Sequence, residues 1–257
     1  KVAPEGFKIH YDLTMGGTDD HIPELLEKLS QYRIAGCFED PLPGEDIEGY
    51  VELRQRTTLP IVLHHFPMGA TYEVLRRPAD VYMLGHAKIG DAIRKAGLFS
   101  ADNSPFMLQN VGGTITRAMT THMMSAFPSA NFHFFGDTET WKRDVVNERL
   151  EPINGFVRVS ESPGLGLTLD REELERLKKL RLSDQEKWII KSQFKNGTCM
   201  YNIADPDNSI FMVRPDHKRL IPMGYDTPIS TEYWDDDGTL AYKKMFQRIE
   251  QKGIVLE

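Results

Sequence analysis

Gly36-Cys37-Phe38-Glu39-Asp40-Pro41-Leu42-Pro43 is a short apolar run that ends in two adjacent carboxylates and is closed by two prolines. Proline has no N–H to give a sheet ladder, so the run reads as a strand over residues 36–40 that must stop there. Similar runs lie on either side of it, at residues 7–12, 60–64, 79–84, 105–109 and 131–135, most of them followed closely by Gly, Pro or Asn. Helical patterns separate them. Ile22, Leu25, Leu26 and Leu29 share one helix face, and Ile115, Met119, His122, Met123 and Ala126 share another. This alternation predicts repeated βα units and a parallel sheet.

After about Glu151 the rhythm changes. Residues 155–160 read as an alternating strand, Ser162-Pro163-Gly164-Leu165-Gly166 as a turn, and Asp170 as the cap of a helix over 171–180. A helix over 183–194, strands at 198–203 and 209–213 and a last helix over 239–251 follow. The expected organisation is a barrel-forming region over 1–150, a closing and capping segment over 151–180, and an extension over 181–257 packing on the barrel.

With 257 residues, 40% of them hydrophobic and 27% charged, the chain can bury a large core, which excludes disordered and fibrous classes. A formal net charge of −7 and the lack of any basic stripe speak against a nucleic-acid partner. No apolar run reaches the roughly 20 residues needed to span a bilayer, so no membrane association is expected. Two cysteines, Cys37 and Cys199, cannot form a disulfide framework and suit a reducing compartment, so a cytoplasmic location is expected. The chain begins without Met, which reads as processing or as a piece of a longer polypeptide.

In a parallel α/β barrel the strand C-termini converge on one face, so polar residues there are the first candidates for chemistry. Asp12, Glu39 with Asp40, and His64 with His65 end three consecutive strands, one βα unit apart. Such a set can hold a divalent cation. Oxygen donors favour Mg²⁺, whereas an imidazole shifts the preference toward Mn²⁺, Fe²⁺ or Zn²⁺. The bland reading is equally weighted: a strand-end acid often only caps the next helix or meets a neighbouring loop. His86, just past a strand end, could reach the mouth as a general acid or base. His10, His122 and His133 read as packing residues. Gly112-Gly113 before Thr114 reads as a tight turn ahead of a weak anion site, and Asp235-Asp236-Asp237-Gly238 as an acidic helix cap.

Phe38-Glu39-Asp40-Pro41-Leu42-Pro43 resembles the Glu-Glu-Pro strand end of the enolase superfamily, in its mandelate racemase and muconate lactonizing enzyme branch. Asp12 after Lys8-Ile9-His10-Tyr11 takes the place of the first metal-binding Asp, and Leu59-Pro60-Ile61-Val62 resembles the strand leading to the third ligand. Ala79-Asp80-Val81 with Lys88-Ile89-Gly90 resembles the sixth-strand motif, and Ser162-Pro163-Gly164-Leu165-Gly166-Leu167 the closing Pro-Gly-Leu-Gly motif. The resemblance runs over about residues 7 to 180 and implies a (β/α)₈ TIM-type barrel, here incomplete at its amino-terminal side and supplying strands three to eight. It further implies Mg²⁺, or Mn²⁺ or another divalent metal, on Asp12, Glu39 and His65. His64, Gln109 and Asn110 would contact substrate. The implied reaction is removal of the proton α to a carboxylate, with a sugar acid as substrate and dehydration, racemisation or epimerisation as outcome. A homo-oligomer is expected.

Departures from the pattern motivate a rival. His65 stands where the third acid belongs, Gly85 where the sixth-strand acid belongs, and no His-Asp dyad can be assembled for the seventh strand. The Lys-x-Lys pair of other branches would precede Lys1, so the base is His86 or lies outside this sequence. The rival is a catalytically impaired barrel acting as a binding or structural subunit; a further rival uses a transition metal on His64 or His65 for hydrolysis.

Overall fold

Parallel strands buried on both faces must be apolar throughout, and Ile61-Val62-Leu63 is the plainest case, with all three residues buried. The computed structural model describes residues 3–64, 69–85, 88–136, 138, 141–180, 187–204 and 228–257. Five strands, β1 (Ile9–Asp12), β2 (Ala35–Glu39), β3 (Ile61–Leu63), β4 (Val81–Gly85) and β5 (Phe106–Gln109), form one parallel sheet in sequential order. Between and after them run α1 (Ile22–Ser30), α2 (Ile47–Arg56), α3 (Ala70–Arg76), α4 (Ile89–Asp102) and α5 (Thr114–Ala126). The five strands lie within two residues of the runs read from the sequence, and α1 and α5 carry the two helix faces read there.

The two faces of the sheet divide by strand parity. Cys37, Val62, Val81, Met83 and Met107 pack together on one face with Phe132 and Phe135 against them. On the other face Tyr82 stacks on Phe99 of α4 at 4.9 Å between ring centres, and Phe99 meets Phe106 at 5.3 Å. The sheet curls: His10 of β1 lies 4.9 Å from Phe135 between ring centres, although four strands separate them in the ladder.

The sixth strand expected at 131–135 is reduced to a parallel bridge between Gln109 and Phe135. Within this segment the bonds gather at Phe135, whose N–H donates to Leu108 O at 2.9 Å and whose carbonyl accepts from Asn110 N–H at 3.2 Å; Phe106 N–H reaches Ser129 O, ahead of the segment, at 3.0 Å. The strand expected at 155–160 is also replaced, by a turn in which Ile153 and Phe156 bridge and Asn154 and Gly155 both have positive φ. Asp170 does cap a helix, α6 (Arg171–Lys178), by accepting from Glu173 N–H.

Chain contacts divide the molecule into two units, residues 1–14 with 25–180 and residues 15–24 with 181–257. The second contains an antiparallel sheet of order β8-β6-β7-β9, from β6 (Trp188–Phe194), β7 (Cys199–Ala204), β8 (Pro228–Trp234) and β9 (Val255–Leu256), together with α7 (Leu240–Lys252). Ile189, Tyr242, Met245, Ile249 and Val255 form its core. The helix expected over 183–194 is therefore a strand from Trp188 onward. Its apolar spacing allowed either reading, and ladder pairing on both sides with β7 and β8 decides for the strand, which its Trp, Ile and Phe residues suit. The strand expected at 209–213 lies outside the described residues. The acidic turn does not itself cap α7: the cap is Thr239, whose Oγ1 accepts from Tyr242 N–H at 3.1 Å, while Asp237 accepts from Thr239 N–H at 2.9 Å and from the Trp234 indole at 3.0 Å in the turn before it.

No described helix is long and apolar enough to cross a membrane. Phe99, fully buried between Tyr82 and Phe106, sets the spacing of α4 from the sheet. Phe99→Ala is expected to lower stability by about 3–5 kcal/mol, measured by chemical denaturation.

Candidate active site at the strand ends

Parallel pairing places Asp12 beside Glu39 in register, and Glu39 beside Val62 of β3. The chain therefore delivers its acids side by side at the same end of neighbouring strands. Glu39 is only 2% exposed, and a buried carboxylate needs donors to keep its charge. Two imidazoles provide them: His10 Nε2 lies 2.8 Å from Oε2, and His64 Nδ1 lies 2.8 Å from Oε1.

Burial opposes the charge on Glu39, but the hydrogen bonds from His10 and His64 and their charge outweigh it and bring the carboxyl down to about 2. The chain of contacts continues, with His133 Nε2 at 2.9 Å from His10 Nδ1. A carboxylate only accepts, so His10 donates Nε2–H to Glu39; its Nδ1 accepts Nε2–H from His133 when His10 is neutral and donates to His133 Nε2 when His10 is charged. Burial, followed by the charge of His10, lowers His133 to about 4 despite the opposing influence of Glu39.

Asp40 is 1% exposed and has φ +42°, a left-handed conformation that Asp tolerates better than most residues. Its Oδ1 accepts the backbone N–H of His64 at 2.9 Å. Asp12 sits nearer solvent, with Thr14 N–H donating to Oδ1 at 2.7 Å. Burial and the negative charges of Glu39 and Asp40 raise its carboxyl above the usual range. Donor atoms of Glu39, Asp40 and His64 lie within 4.8 Å of one another.

The glycine at position 85 has a steric counterpart. A Cβ built there would lie 1.8 Å from Nε2 of His64, so the imidazole occupies the space that a side chain on β4 would need. On β5, in register with Gly85, Gln109 has a buried Oε1 with no hydrogen-bond partner among the described residues. Asn110 gives its amide to Thr120 Oγ1 at 2.8 Å and so ties β5 to α5. His65 and His86 lie outside the described residues.

Of the residues expected at the site, the structure brings Asp12, Glu39 and His64 together. His10, His133 and Asp40 join them. His10 and His133 had read as packing residues, yet His10 shares strand parity with Asp12, which is the signal that could have placed it on the site face. At the turn before α5, Thr114 N–H donates to Asp144 Oδ2 at 2.6 Å. Burial works against Asp144, but its bonds from Thr114 and Val145 hold its carboxyl below the usual range. The helix terminus is thus capped by the chain's own acid.

A curled parallel sheet with helical crossovers and acids at consecutive strand ends defines a barrel-type α/β protein with a candidate metal centre. Residues 1–174 match the model of the enolase C-terminal domain-like family. The chain belongs to that family, and so to the enolase superfamily. The o-succinylbenzoate synthase of Geobacillus kaustophilus is 27% identical over 164 residues, covering 59% of this chain and 42% of that protein. The D-xylonate dehydratase of Haloferax volcanii is 26% identical over 180 residues, covering 67% of this chain and 42% of that protein. The chain thus spans less than half the length of these relatives. An enolase from Pseudomonas fluorescens Pf0-1, solved with bound magnesium, potassium and tartrate, superposes with a TM-score of 0.58 at 20% identity, over 67% of this chain and 42% of that one.

Two outcomes are expected. Gly85→Ala should lower stability by about 1–3 kcal/mol through overpacking, and should cost less in a His64→Ala background; a double-mutant cycle by denaturation measures the difference. The carboxyl of Glu39 is depressed from 4.5 to about 2 in the folded metal-free chain, so its contribution is fully present above about pH 4.5 and is lost as pH falls toward 2. The stability gap between the parent and Glu39→Gln should therefore narrow over that window, as read by denaturation at a series of pH values.

Proposed function

We propose that the chain carries the metal-bearing part of a site that removes the proton α to a carboxylate, with a sugar acid as substrate and dehydration or epimerisation as the result. The observation that carries this reading is the concentration of Asp12, Glu39 and Asp40 at adjacent strand ends, where burial and then the charges of Glu39 and Asp40 raise Asp12. A divalent cation relieves that repulsion, and the donor set fits one. The family relation supports the same reaction class.

Glu39 and Asp40, with Asp12 or His64 completing the set, would hold the ion, whose charge stabilises the oxygens of the substrate carboxylate as the α-carbon gives up its proton. A carbon acid of this kind is far too weak for a side-chain base without such neutralisation. His10, itself oriented by His133, fixes the Glu39 carboxylate through Oε2. Gln109 offers its buried Oε1 to a substrate hydroxyl. Asn110 supports that strand end through its bond to Thr120, so its part in substrate contact is secondary. His86 is the proposed general base, placed by sequence after β4; His65 is the further ligand that the resemblance implies.

A second reading is a barrel that keeps the fold and binds without turning over. Glycine at position 85 favours it, because no acid is offered on β4. The test is exchange of the α-proton of a panel of sugar acids in D₂O, followed by NMR with the whole protein and saturating Mg²⁺ or Mn²⁺. Exchange above background that drops at least 100-fold in Glu39→Gln is the expected result. No exchange on any acid, with ligand binding retained, would establish the non-catalytic reading.

A further inference from the structure

Resting on the reading of this strand-end face as a cation site, we propose that Glu39, Asp40 and His64 select a first-row transition-metal dication over Mg²⁺. The donor set in the structure differs from the one that the resemblance implies. Asp40 and His64 stand with Glu39, whereas the resemblance assigns Asp12 and His65. Both sets hold one imidazole where the family pattern has an acid; what changes is which aspartate and which histidine take part.

The geometry suits an ion with short bonds. His64 Nδ1 and Glu39 Oε1 are 2.8 Å apart. Two ligands at right angles, each about 2.0–2.1 Å from one octahedral ion, lie about 2.8–3.0 Å from each other, a spacing that Mg²⁺ meets as well, so the choice between ions rests on the donor atoms. An ion can thus replace the proton that the two atoms now share, with the ring proton moving to Nε2 so that the imidazole stays neutral. The carboxylate of Asp40 completes the set within 4.8 Å, and His64 N–H bonded to its Oδ1 at 2.9 Å restrains it.

Chemistry and burial decide between the ions. Mg²⁺ favours six oxygens and gives up its waters reluctantly, whereas imidazole suits Zn²⁺, Co²⁺ and their neighbours. Glu39 and Asp40 are buried to 2% and 1% exposure, which leaves little room for a retained hydration shell on their side. The supporting contacts are those that tune a ligated carboxylate: His10 holds Oε2 of Glu39 at 2.8 Å and His133 holds His10 at 2.9 Å. Glycine at 85 gives the His64 ring its place, since any Cβ there would meet Nε2 at 1.8 Å. Loss of an acid on β4 and gain of a nitrogen donor from the end of β3 are one steric exchange.

The test is calorimetric titration of the metal-free whole chain with Co²⁺, Zn²⁺ and Mg²⁺ separately, with visible spectra recorded for Co²⁺. Co²⁺ and Zn²⁺ are expected to bind with one site per chain at least 100-fold more tightly than Mg²⁺. In His64→Asn and His64→Gln, checked for folding by circular dichroism, Co²⁺ affinity should fall at least 10-fold and its visible bands should shift. Mg²⁺ binding as tight as that of Co²⁺ in the unaltered chain overturns the proposal, as does Co²⁺ affinity that stays within twofold in both folded variants. Mg²⁺ bound as tightly as Co²⁺, with proton exchange on sugar acids, would overturn the selectivity and keep the proposed reaction. Co²⁺ held through His64 with no exchange on any acid keeps the selectivity and removes the reaction.

Discussion

The carboxylate of Glu39 governs this end of the sheet. It is buried, charged and placed beside Asp12 and Asp40, so it can be tolerated only while donors surround it. His10 and His64 approach it from β1 and from the end of β3, the strands on either side of β2. Three strand ends are thereby held in one arrangement by two bonds of 2.8 Å. Parallel pairing brings these residues close, and the electrostatic need of a single side chain fixes how they face one another.

Below that layer the same parity continues in apolar form. Cys37 lies two residues before Glu39 and packs with Val62, Val81, Met83 and Met107. Burial, with the nearby charge of Glu39, pushes its thiol up to about 12, so it behaves as a small apolar filler. His10 spans the two layers, bonding upward to Glu39 and lying against His133 and Phe135. The polar site is therefore continuous with the packing that supports it.

Much of this was legible from the chain. Apolar runs stopped by Pro, Gly or Asn located β1 to β5 within a residue or two, and Asp12 and Glu39 were placed correctly at strand ends. The segment at 131–135 and the region around 188–194 were harder for different reasons. The first carries strand-like residues but bonds toward β5 only through Phe135; the second has a pattern open to two periods, resolved by partners far along the sequence. The site had the same difficulty in sharper form. His10, Glu39, His64 and His133 are separated by tens of residues, and nothing local to His133 says that it will meet His10. Their meeting is a property of sheet curl, to which pattern reading is blind.

The close approach of His64 to Gly85 also constrains how such a site can change over time. A side chain at position 85 and this imidazole cannot occupy that space together, so a substitution there must either turn the His64 ring away from Glu39 or be resisted by that bond. The two positions therefore change as a pair: what is placed on β4 decides whether the end of β3 can keep its hold on the buried carboxylate.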